Sequence, residues 1–514
     1  MAKRNGGIIG PSNVPTGQYG GTASGVWRLR DAFNYQKAGL WPGSASYPVA
    51  NSLRFNSGSS DYLNRTPAST TNQQIFTWSS WVKRDKLGTG TDQYLFVSDN
   101  FNTSSNRFVF QIIFKSTGTE QLVVGLENSV SGTDGVRATT QVFRDTSAWY
   151  HIVVSVDTTQ ATASNRIKVY VNGSEVTSFA TSTNPTQNAN VSINQSGSTP
   201  AIGAFILNAS PQRFFSGYLA ETYLIDGQAL TPSSFGQTDS ATGIWTPLPY
   251  TGTYGTNGFY LKFANSAALG TDSSGNGNTF TANNLTSVDQ STDTPTNNFS
   301  TFNSLSKNDA GTVTFSEGNL FTAHSGTDSV YTSYSTQGVS QGKWYAEFKY
   351  EVLGSNNDIQ VGVGYDIEGI NRTGSYLGSS VATWGYDSAN GNVYNNGSGS
   401  AYGNTFAQGD IISVALDLDN NKLYFAKNGT YQNSGVPTSG ATGTGAVSIT
   451  GSQIYFFGTC HDTTTSRTSS YSANFGSPRY SANSYTDGAG FGNFSYAVPA
   501  GYYALCTKNL ANFG

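Results

Sequence analysis

One strand-turn-strand pattern occurs twice in this chain. Residues 149–173 read WYHIVVSVDTTQATASNRIKVYVNG, and residues 409–429 read GDIISVALDLDNNKLYFAKNG. Each passes from an apolar run through a polar turn rich in Asp, Asn or Thr into a second apolar run that ends in Asn-Gly. Such runs are typical of a β-hairpin, and Asn-Gly tolerates the positive φ of a tight turn. The repetition predicts the same central hairpin in two β-sandwiches.

The second copy also predicts which residues face the core. Ile412, Val414 and Leu416 occupy alternate positions, and a slip of one residue would move them to the opposite face of the sheet. Leu423 and Phe425 return on one face after the turn. Each fully buried Leu, Ile or Phe side chain contributes roughly 1.5–3 kcal/mol, so we expect this register to be strongly specified.

The composition indicates an all-β chain of two or three domains. Only 11% of the 514 residues are charged, Met occurs once, and Tyr and Phe number 30 each. Aromatic residues and Thr favour strands, whereas frequent Gly and Asn favour turns. The formal net charge is −4 without a long run of either sign. This argues against a nucleic-acid-binding surface and against an anchor on an anionic membrane.

Residues 1–45 differ from the rest of the chain. They lack the apolar core of a signal peptide, and no segment of the chain reaches 18 apolar residues, so we expect synthesis in the cytoplasm without membrane insertion. SGVWRLRDAFNYQKAG predicts one short amphipathic helix behind an extended arm. Arm and helix resemble a docking element, and a simple cap over the first β-domain is the alternative. The candidate docking residues are Val26, Trp27, Leu29 and Phe33.

Strand signals run from residue 46 to residue 235. QIFTWSSWVKRD carries large apolar groups on both faces, which is typical of a strand inside a sandwich, and RFVFQIIFK with QLVVGLEN predicts a hairpin. FTWSSWVKRD, the hairpin of residues 149–173 and FSGYLAETYLIDGQALTPSSF resemble the laminin-G and concanavalin-A-like jelly-roll family. The resemblance predicts a first sandwich over residues 46–235.

Residues 236–302 are predicted to be a bridging segment. YGTNGFYLKFANSAALGTDSSGNGNTFTANN resembles the opening of another laminin-G-like unit. TSVDQSTDTPTNNFS is poor in apolar groups, which is typical of a linker.

Residues 303–514 contain four motifs in the order of a second family. They are GKWYAEFKYEV, DIQVGVGYD, WGYDSANGNVYNNG and GDIISVALDLDNNKLYFAKNG, and they resemble the SPRY domain, which also uses a concanavalin-like sandwich. The rest of this block is a C-terminal extension. The expected fold is therefore all-β: two concanavalin-like jelly-roll β-sandwiches in tandem, preceded by a short N-terminal arm and helix.

The carboxylates favour a non-catalytic protein. Some concanavalin-like folds are glycoside hydrolases, which need two carboxylates flanking the scissile bond. Glu347 and Glu351 are the nearest candidates, but Lys349 lies between them on the same face of a strand. The sequence contains no HExxH, GxSxG or CxxC motif. We therefore expect no enzyme and no catalytic residues.

Calcium is the one cofactor that the sequence indicates. Asp272, Asn276 and Asn278 in TDSSGNGN surround a tight turn, and their oxygens are ligands of the kind that calcium prefers. Domains of the families named above often bind calcium, and LDLDNN at residues 416–421 offers a weaker second set. The alternative is turn chemistry, because Asp and Asn side chains cap their own backbones in such turns.

The loop SYLGSSVATWGYDSANGNVYNNGSGSAYGN is the best candidate binding surface. Sugar rings place C–H faces on aromatic side chains, while amides bond to the hydroxyls. For Trp384 and Tyr386 packing in the core is an equal alternative, whereas we expect Tyr394 and Tyr402 to be exposed. The candidate glycan-binding residues are Tyr376, Trp384, Tyr386, Asn392, Tyr394, Asn395 and Tyr402.

Three stretches carry a further resemblance. GGIIGPSNVPTGQYGGTASGVW, DTPTNNFSTFN and GYYALCTKNL look like recurrent stretches of bacteriophage structural proteins, especially marine ones. The resemblance implies a virion surface protein in a fibre or appendage, docked through its N-terminal arm and made in the host cytoplasm. It also implies binding of host-surface carbohydrate, with avidity from a homo-oligomer, a trimer by analogy.

Two other functions stay open from the sequence. The runner-up is a capsid-decorating or appendage-building protein whose sandwiches bind other virion structural proteins, because SPRY domains commonly bind protein loops. A glycan depolymerase is a distant third, because the carboxylate pair is missing. Nucleic acid and membrane are not among the expected partners.

Overall fold

The structure is a computed structural model. It describes residues 47–101, 107–128, 132–207, 209–239, 242–305, 313–326, 331–352, 359–365, 376–461 and 467–514, together with residues 30–31 and 34–35. Residues 30, 31, 34 and 35 are helical. The candidate docking residues lie outside the described residues, so docking by the N-terminal segment stays a prediction.

The first sandwich contains twenty described strands. Their bounds are β1 Ser52–Phe55, β2 Tyr62–Asn64, β3 Ile75–Arg84, β4 Gln93–Phe101, β5 Arg107–Lys115, β6 Gln121–Asn128, β7 Gly132–Val142, β8 Trp149–Asp157, β9 Ile167–Val171, β10 Ser174–Glu175, β11 Phe179–Thr183, β12 Ala201–Ile202, β13 Phe205–Leu207, β14 Ser210–Gln212, β15 Gly217–Asp226, β16 Gly236–Thr238, β17 Trp245–Pro247, β18 Phe259–Leu261, β19 Thr281–Asn283 and β20 Gln290–Ser291.

Two sheets of the first sandwich enclose its core. One has the order β10-β9-β8-β3-β15-β1-β20, with β18 added to β15, and the other has the order β11-β7-β6-β5-β4-β12-β2-β19. Phe76 and Trp78 of β3 are fully buried between them. The ring of Phe76 lies 4.9 Å from that of Phe110 on the facing sheet, edge to face. The large apolar side chains of β3 therefore pack between the two sheets, as the sequence pattern predicts.

Strands β18, β19 and β20 lie in the segment that was predicted to be a bridge and linker over residues 236–302, and they pair with the first sandwich. Phe299 and Phe302 at the end of this segment pack with core residues of the second sandwich. β18 pairs with β15, β19 with β2, and β20 with β1, and these strands complete the first unit instead of opening another. Polar composition predicted exposure, but Asp289 and Asp293 are buried. They pair with Arg54 at 2.9 Å and Lys83 at 2.8 Å, and such partners are what allow a carboxylate to be buried.

The second sandwich begins after residue 302. Its described strands are β21 Val313–Ser316, β22 Phe321–Gly326, β23 Tyr331–Tyr334, β24 Lys343–Val352, β25 Ile359–Gly364, β26 Thr383–Asp387, β27 Asn392–Asn395, β28 Ser398–Ala401, β29 Ile411–Asp417, β30 Lys422–Lys427, β31 Thr430–Tyr431, β32 Val447–Ser448, β33 Phe456–His461, β34 Arg467–Asn474 and β35 Tyr503–Ala504.

This sandwich also consists of two sheets. The larger has the order β21-β22-β34-β24-β29-β30-β31, with β32 added to β30 and β35 added to β24. The smaller, six-stranded sheet has the order β23-β33-β25-β26-β27-β28. Helix α1, Thr507–Phe513, follows β35, and short 3-10 turns lie at Ala163–Asn165, Pro232–Ser234, Ser287–Asp289, Gln432–Ser434 and Pro437–Thr442. No described helix has the length and apolar character needed to span a membrane.

The two predicted hairpins are confirmed. β8 pairs with β9 and β29 with β30. The φ angle is 48° at both Asn172 and Asn428 and 81° at both Gly173 and Gly429. Each Asn side chain accepts a hydrogen bond of 2.8 Å from a backbone amide at the start of its own hairpin. The same Asn-Gly turn therefore follows the central hairpin of both sandwiches, where it joins β9 to β10 and β30 to β31.

Two of the stretches that resemble phage proteins lie against each other where the sandwiches meet. Phe299 forms an antiparallel bridge with Cys506. The amide of Thr507 donates to the carbonyl of Asn298 at 3.0 Å, and its hydroxyl accepts from the amide of Asn298 at 3.0 Å. The C-terminal segment therefore pairs with the chain that joins the sandwiches.

A second set of contacts spans the same junction. Glu317 of the second sandwich lies 3.3 Å from the guanidinium of Arg54 and accepts a hydrogen bond of 2.6 Å from the side chain of Asn56. The hydroxyl of Tyr218 donates to the carbonyl of Gly318 at 3.1 Å. The sandwiches are thus joined by buried polar contacts as well as by the chain itself.

Candidate functional site

Most of the predicted binding loop forms strands β26, β27 and β28 of the six-stranded sheet. The segment before β26 packs on the outer face of that sheet. Leu377 is buried there together with Tyr334 and Cys460. A Cβ atom at Gly385 would lie 2.4 Å from the carbonyl oxygen of Leu377, so the glycine allows the loop to approach the sheet closely. The segment that contains Leu377 therefore covers part of this face.

Three of the predicted glycan-binding rings lie in the core instead. β26 places Trp384 and Tyr386 inward, and both are buried. Tyr402, which we expected to be exposed, is also buried. Its ring lies 5.7 Å from that of Phe425, and its hydroxyl accepts the amide of the same residue at 3.3 Å.

These positions agree with the core-packing alternative for Trp384 and Tyr386, and they correct the expectation that Tyr402 is exposed. Burial raises the pKa of Tyr402 to about 12 because the phenolate would be desolvated. The hydroxyl of Tyr386 donates to the carbonyl of Asn404. Both hydroxyls therefore bond to the backbone. Because both rings are buried, neither offers a face to a ligand.

Tyr376 and Tyr394 form the half-buried aromatic pair that remains. Their centroids lie 6.2 Å apart with an interplanar angle of 87°, the edge-to-face geometry that aromatic rings prefer. The exposed side chain of Asn390 donates to the Tyr394 hydroxyl at 3.0 Å. Asn392 lies next to this group and is half-buried. The predicted rings and amides therefore meet here, although with fewer members than the sequence indicated.

Asn395 has a structural role. Its amide nitrogen donates to the carbonyls of Ser380, Val381 and Thr383 at 3.3, 3.4 and 2.8 Å. These bonds fix the turn that precedes β26. The amide therefore positions Val381, a residue that sequence reasoning missed.

We call the edge of the sheet that carries Tyr365, Val381, Ile454 and Phe456 the rim. Val381 and Ile454 are 58% and 56% exposed, and Tyr365 and Phe456 are half-buried. Gly364 at the end of β25 pairs with Thr383 on one side and with Phe456 on the other. Because neighbouring strands lie about 4.8 Å apart, the strands that Val381 and Ile454 precede are about 10 Å apart.

The rim continues into the tyrosine pair. Phe456 and Tyr376 both pack against the buried group formed by Tyr334, Leu377 and Cys460. Residues 376–409 contain one charged residue, Asp387, and it is buried. The surface is therefore apolar and aromatic, edged by amides, and uncharged along this loop. The alternation of IYFF at residues 454–457 could have revealed Ile454, since Tyr455 and Phe457 are buried.

The predicted calcium loop is organised by its own hydrogen bonds. Asp272 accepts from the amides of Tyr260, Ser274 and Asn278 at 2.8–2.9 Å and from the Ser274 hydroxyl at 2.7 Å. The amide nitrogens of Asn276 and Asn278 both donate to the carbonyl of Gly258. This arrangement favours the turn-chemistry alternative, and calcium binding stays a prediction.

The second acidic turn is similar. Asp417 accepts from the amide and side chain of Asn420 and pairs with Lys343 at 2.9 Å. In the part of the chain that the structure describes, no three His, Cys, Asp or Glu side chains are grouped so as to hold a metal ion.

Glu347 binds the C-terminal extension. It is fully buried and accepts the backbone amides of Ser495 and Tyr496, both at 2.9 Å, and the hydroxyl of Tyr345 at 3.0 Å. Burial raises the pKa of the Glu347 carboxyl, and these hydrogen bonds oppose the shift. Glu351 pairs with Lys349 and Arg479. Neither carboxylate has the free, opposed placement that glycoside hydrolysis requires.

Two separate parts of the chain match known protein families. Residues 57–236 match the family described as the concanavalin A-like lectin/glucanases superfamily, and residues 343–482 match the SPRY domain. The chain is 32% identical over 83 residues to Ran-binding protein 9 of Danio rerio and 30% identical over 83 residues to Ran-binding protein 9 of Homo sapiens. These matches cover 16% of the chain and 14% and 11% of the two proteins, so the chain spans only a small part of these relatives.

Two solved structures are similar to parts of the chain. The SPRY domain of human HERC1 is 17% identical, with a TM-score of 0.26, over 34% of this chain and 96% of that chain. The heptameric SAP-like pentraxin from Limulus polyphemus is 17% identical, with a TM-score of 0.27, over 36% of this chain and 80% of that chain.

Proposed function

Because this chain contains a concanavalin A-like domain followed by a SPRY domain, we propose that it is a non-catalytic binding protein. Its SPRY domain holds a partner protein through the rim. The observation that carries the proposal is the exposure of Val381 and Ile454 beside residues 376–409, in which the one charged side chain, Asp387, is buried. Fully burying an aliphatic side chain contributes about 1.5–3 kcal/mol, so covering both would stabilise a complex.

The partner that fits this surface is a loop or strand of another protein with apolar side chains and little charge. The ring of Phe456 packs against the buried group of Leu377 on the outer face of the sheet. The ring of Tyr365 packs against Trp384 and Tyr455. Such rigid aromatic anchors are typical of the energetic centres of protein interfaces.

A photocrosslinking amino acid at Val381 tests the proposal. We expect it to capture one defined protein from assembled particles, and a purified form of that protein should bind the chain. Val381→Asp and Ile454→Asp should each weaken this binding at least about tenfold, since each removes more than about 1.4 kcal/mol.

Ile244, which is 62% exposed on the first sandwich, provides the matched control. Ile244→Asp should leave the affinity unchanged. Equal loss of binding in all three variants, with normal folding by circular dichroism, would contradict a role of the rim.

We place this activity in a bacteriophage virion, in a fibre, appendage or capsid decoration. The support is the sequence resemblance of three stretches, two of which the structure describes. A gold-labelled antibody against the purified chain tests the placement. Label on intact particles supports it, and label restricted to cell debris would contradict it.

Host-surface carbohydrate is the second candidate ligand, and one observation favours it. Tyr376 and Tyr394 keep partly exposed rings beside the exposed amide of Asn390, a combination that suits a sugar. On a glycan array, binding should be lost in Tyr394→Ala and kept in Tyr485→Ala, since Tyr485 is an exposed tyrosine elsewhere in the same sandwich. Equal loss in both variants would contradict this site.

We also propose that the chain acts as a homo-oligomer, with a trimer as the expected form. Many copies would supply the avidity that a small surface lacks. Light scattering after size-exclusion chromatography gives the mass directly, and a monomer at micromolar concentration would contradict the proposal.

A further inference from the structure

A buried lysine lies between two carbonyl-bearing side chains at the junction of the sandwiches. Nζ of Lys83, at the end of β3, is 2.8 Å from Oδ2 of Asp293, 2.7 Å from Oδ1 of Asn298 and 3.4 Å from the carbonyl of Phe299. The side chains of Lys83 and Asp293 are only 1% and 2% exposed. The three protons of the ammonium group therefore point at three oxygens in an almost dry site.

The sheet surrounds this lysine with rings. Its direct neighbours across the strands are Trp149 on β8 and Tyr218 on β15. The indole nitrogen of Trp149 donates to Oδ1 of Asp293 at 3.2 Å, and the ring of Tyr218 lies 5.6 Å from Nζ. The carboxylate is thus oriented with its second oxygen toward the lysine, and the rings keep water away from both groups.

The backbone fixes Asn298 opposite the lysine. Its side-chain nitrogen donates to the carbonyl of Ser147 at 2.8 Å, and its backbone is bonded in both directions to Thr507. The side-chain oxygen therefore faces Nζ while the nitrogen points away. Asn298 is partly exposed, so a group released from this nitrogen has a path to solvent.

We propose that these residues form a modification site at which the chain crosslinks itself, by an amide bond between Nζ of Lys83 and Cγ of Asn298. A nucleophile, an acceptor carbonyl and an acid–base group held in contact satisfy the geometric requirement for such a reaction. The crosslink would tie β3 of the first sandwich to the segment that leads into the second.

The proposed step balances without a further reactant. The Nζ–Cγ bond forms and the bond between Cγ and Nδ2 of Asn298 breaks. One of the three protons on Nζ stays on the new amide. The other two pass through the carboxylate of Asp293 to the leaving nitrogen, so ammonium departs and the carboxylate is restored.

Intact-mass spectrometry of the purified full chain tests the proposal. The expected mass is lower than the sequence mass by that of one ammonia molecule, about 17 Da. After trypsin, the peptide of residues 66–84 should be joined to that of residues 263–307, because an acylated Lys83 is not cleaved. Fragmentation should place the branch at Asn298. This measurement needs no variant.

Three variants sharpen the test. Lys83→Arg keeps the charge but should show the full sequence mass, as should Asn298→Ala. Asp293→Asn should slow or abolish the mass loss while the fold is kept, as judged by circular dichroism. This outcome would separate a proton carrier from a residue that only supports the structure.

Other outcomes would overturn the proposal. A full sequence mass in the unaltered chain would mean that the junction is held by hydrogen bonds alone. A deficit of about 18 Da, with the branch at Asp293, would mean that Lys83 forms its amide bond with Asp293 and not with Asn298. A deficit of about 17 Da that persists in Lys83→Arg would indicate a cyclic imide at an asparagine instead of a crosslink.

Discussion

The two sandwiches share a central hairpin but differ in how their outer faces are covered. On the first sandwich, Tyr223 and Tyr260 stack at 4.4 Å, and Phe235 and Tyr250 extend the same aromatic layer. On the second, Leu377 packs on the outer face of the six-stranded sheet, whereas Val381 and Ile454 are exposed. The two sandwiches thus share the hairpin that folds them and differ in how their outer faces are packed.

The two hairpins are closely similar. The side chains of Asn172 and Asn428 make the same hydrogen bond, and a ring lies over each following glycine, Trp245 over Gly173 and Tyr496 over Gly429. A feature kept in both sandwiches cannot explain why their surfaces differ.

The largest expected effect comes from the core tryptophans of the two sandwiches. Trp78→Ala and Trp344→Ala should each lower the free energy of unfolding by about 3–5 kcal/mol, because both side chains are fully buried. Denaturant titration followed by circular dichroism measures the change. A loss below about 1 kcal/mol in either variant would contradict the assigned core.

Trp→Phe variants at the same two positions compare the cores more finely. The indole of Trp344 donates to the carbonyl of Gln341 at 2.7 Å, whereas that of Trp78 has no hydrogen-bond partner among the described residues. Trp344→Phe should therefore cost about 1 kcal/mol more than Trp78→Phe.

The next effect tests the repeated turn. Gly173, Gly429 and Gly197 all have a φ of 81°, but an added Cβ would meet a ring at the first two and nothing within 4 Å at Gly197. Gly197→Ala should cost about 1 kcal/mol from backbone strain. Gly173→Ala and Gly429→Ala should cost about 1–3 kcal/mol more, because a ring must move. Equal losses at all three positions in urea titrations would show that the rings do not matter.

Local patterns in the sequence predicted the fold well, because alternation acts between neighbouring residues. Ile412, Val414 and Leu416 lie in the core, as their spacing indicated. The polar segment around Asp293 was misread because its burial depends on Lys83, a partner 210 residues earlier in the chain. A local pattern cannot reveal such a partner.

The candidate site was predicted less well for the same reason. Tyr402 looked like a loop residue, yet its ring is buried against Phe425 and Tyr386. The contact joins residues of β26, β30 and the segment after β28, which a local pattern does not relate. Tyr394, which we expected to be exposed, is half-buried and pairs with Tyr376.

A smaller effect concerns pH and the first sandwich. Burial of Asp61 raises its pKa to about 7, so its contribution to stability is present below its unfolded pKa near 3.8 and is lost as the pH rises through 7. Burial of His151 lowers its pKa to about 3, so its contribution is present above pH 6.5 and is lost as the pH falls toward 3. Between pH 4 and 6.5 a change of pH therefore moves the two contributions to the free energy of unfolding in opposite directions.

Asp61→Asn separates these slopes. At pH 8 the variant should be more stable than the original chain by about 1–2 kcal/mol, because the buried charge is removed. Between pH 6.5 and 4 it should lose stability more steeply, since the His151 slope is no longer opposed. Urea titrations at several pH values provide the measurement, and parallel pH profiles for the two proteins would contradict the assigned role of Asp61.

The smallest expected effect lies in the exposed ion pairs of the two hairpins. Lys168 pairs with Glu175 at 3.0 Å in the first sandwich, and Lys427 with Asp410 at 3.1 Å in the second. The first pair is the more exposed, and an exposed pair is weakened by solvent and by the entropy of two long side chains. Lys168→Met should therefore change the free energy of unfolding by less than about 0.5 kcal/mol, and 0.5 M salt should abolish the change. Lys427→Met should cost slightly more, because Lys427 also donates to the carbonyl of Thr405 at 2.9 Å. A larger loss in Lys168→Met would mean that the more exposed pair, and not the shared turn, stabilises the first hairpin.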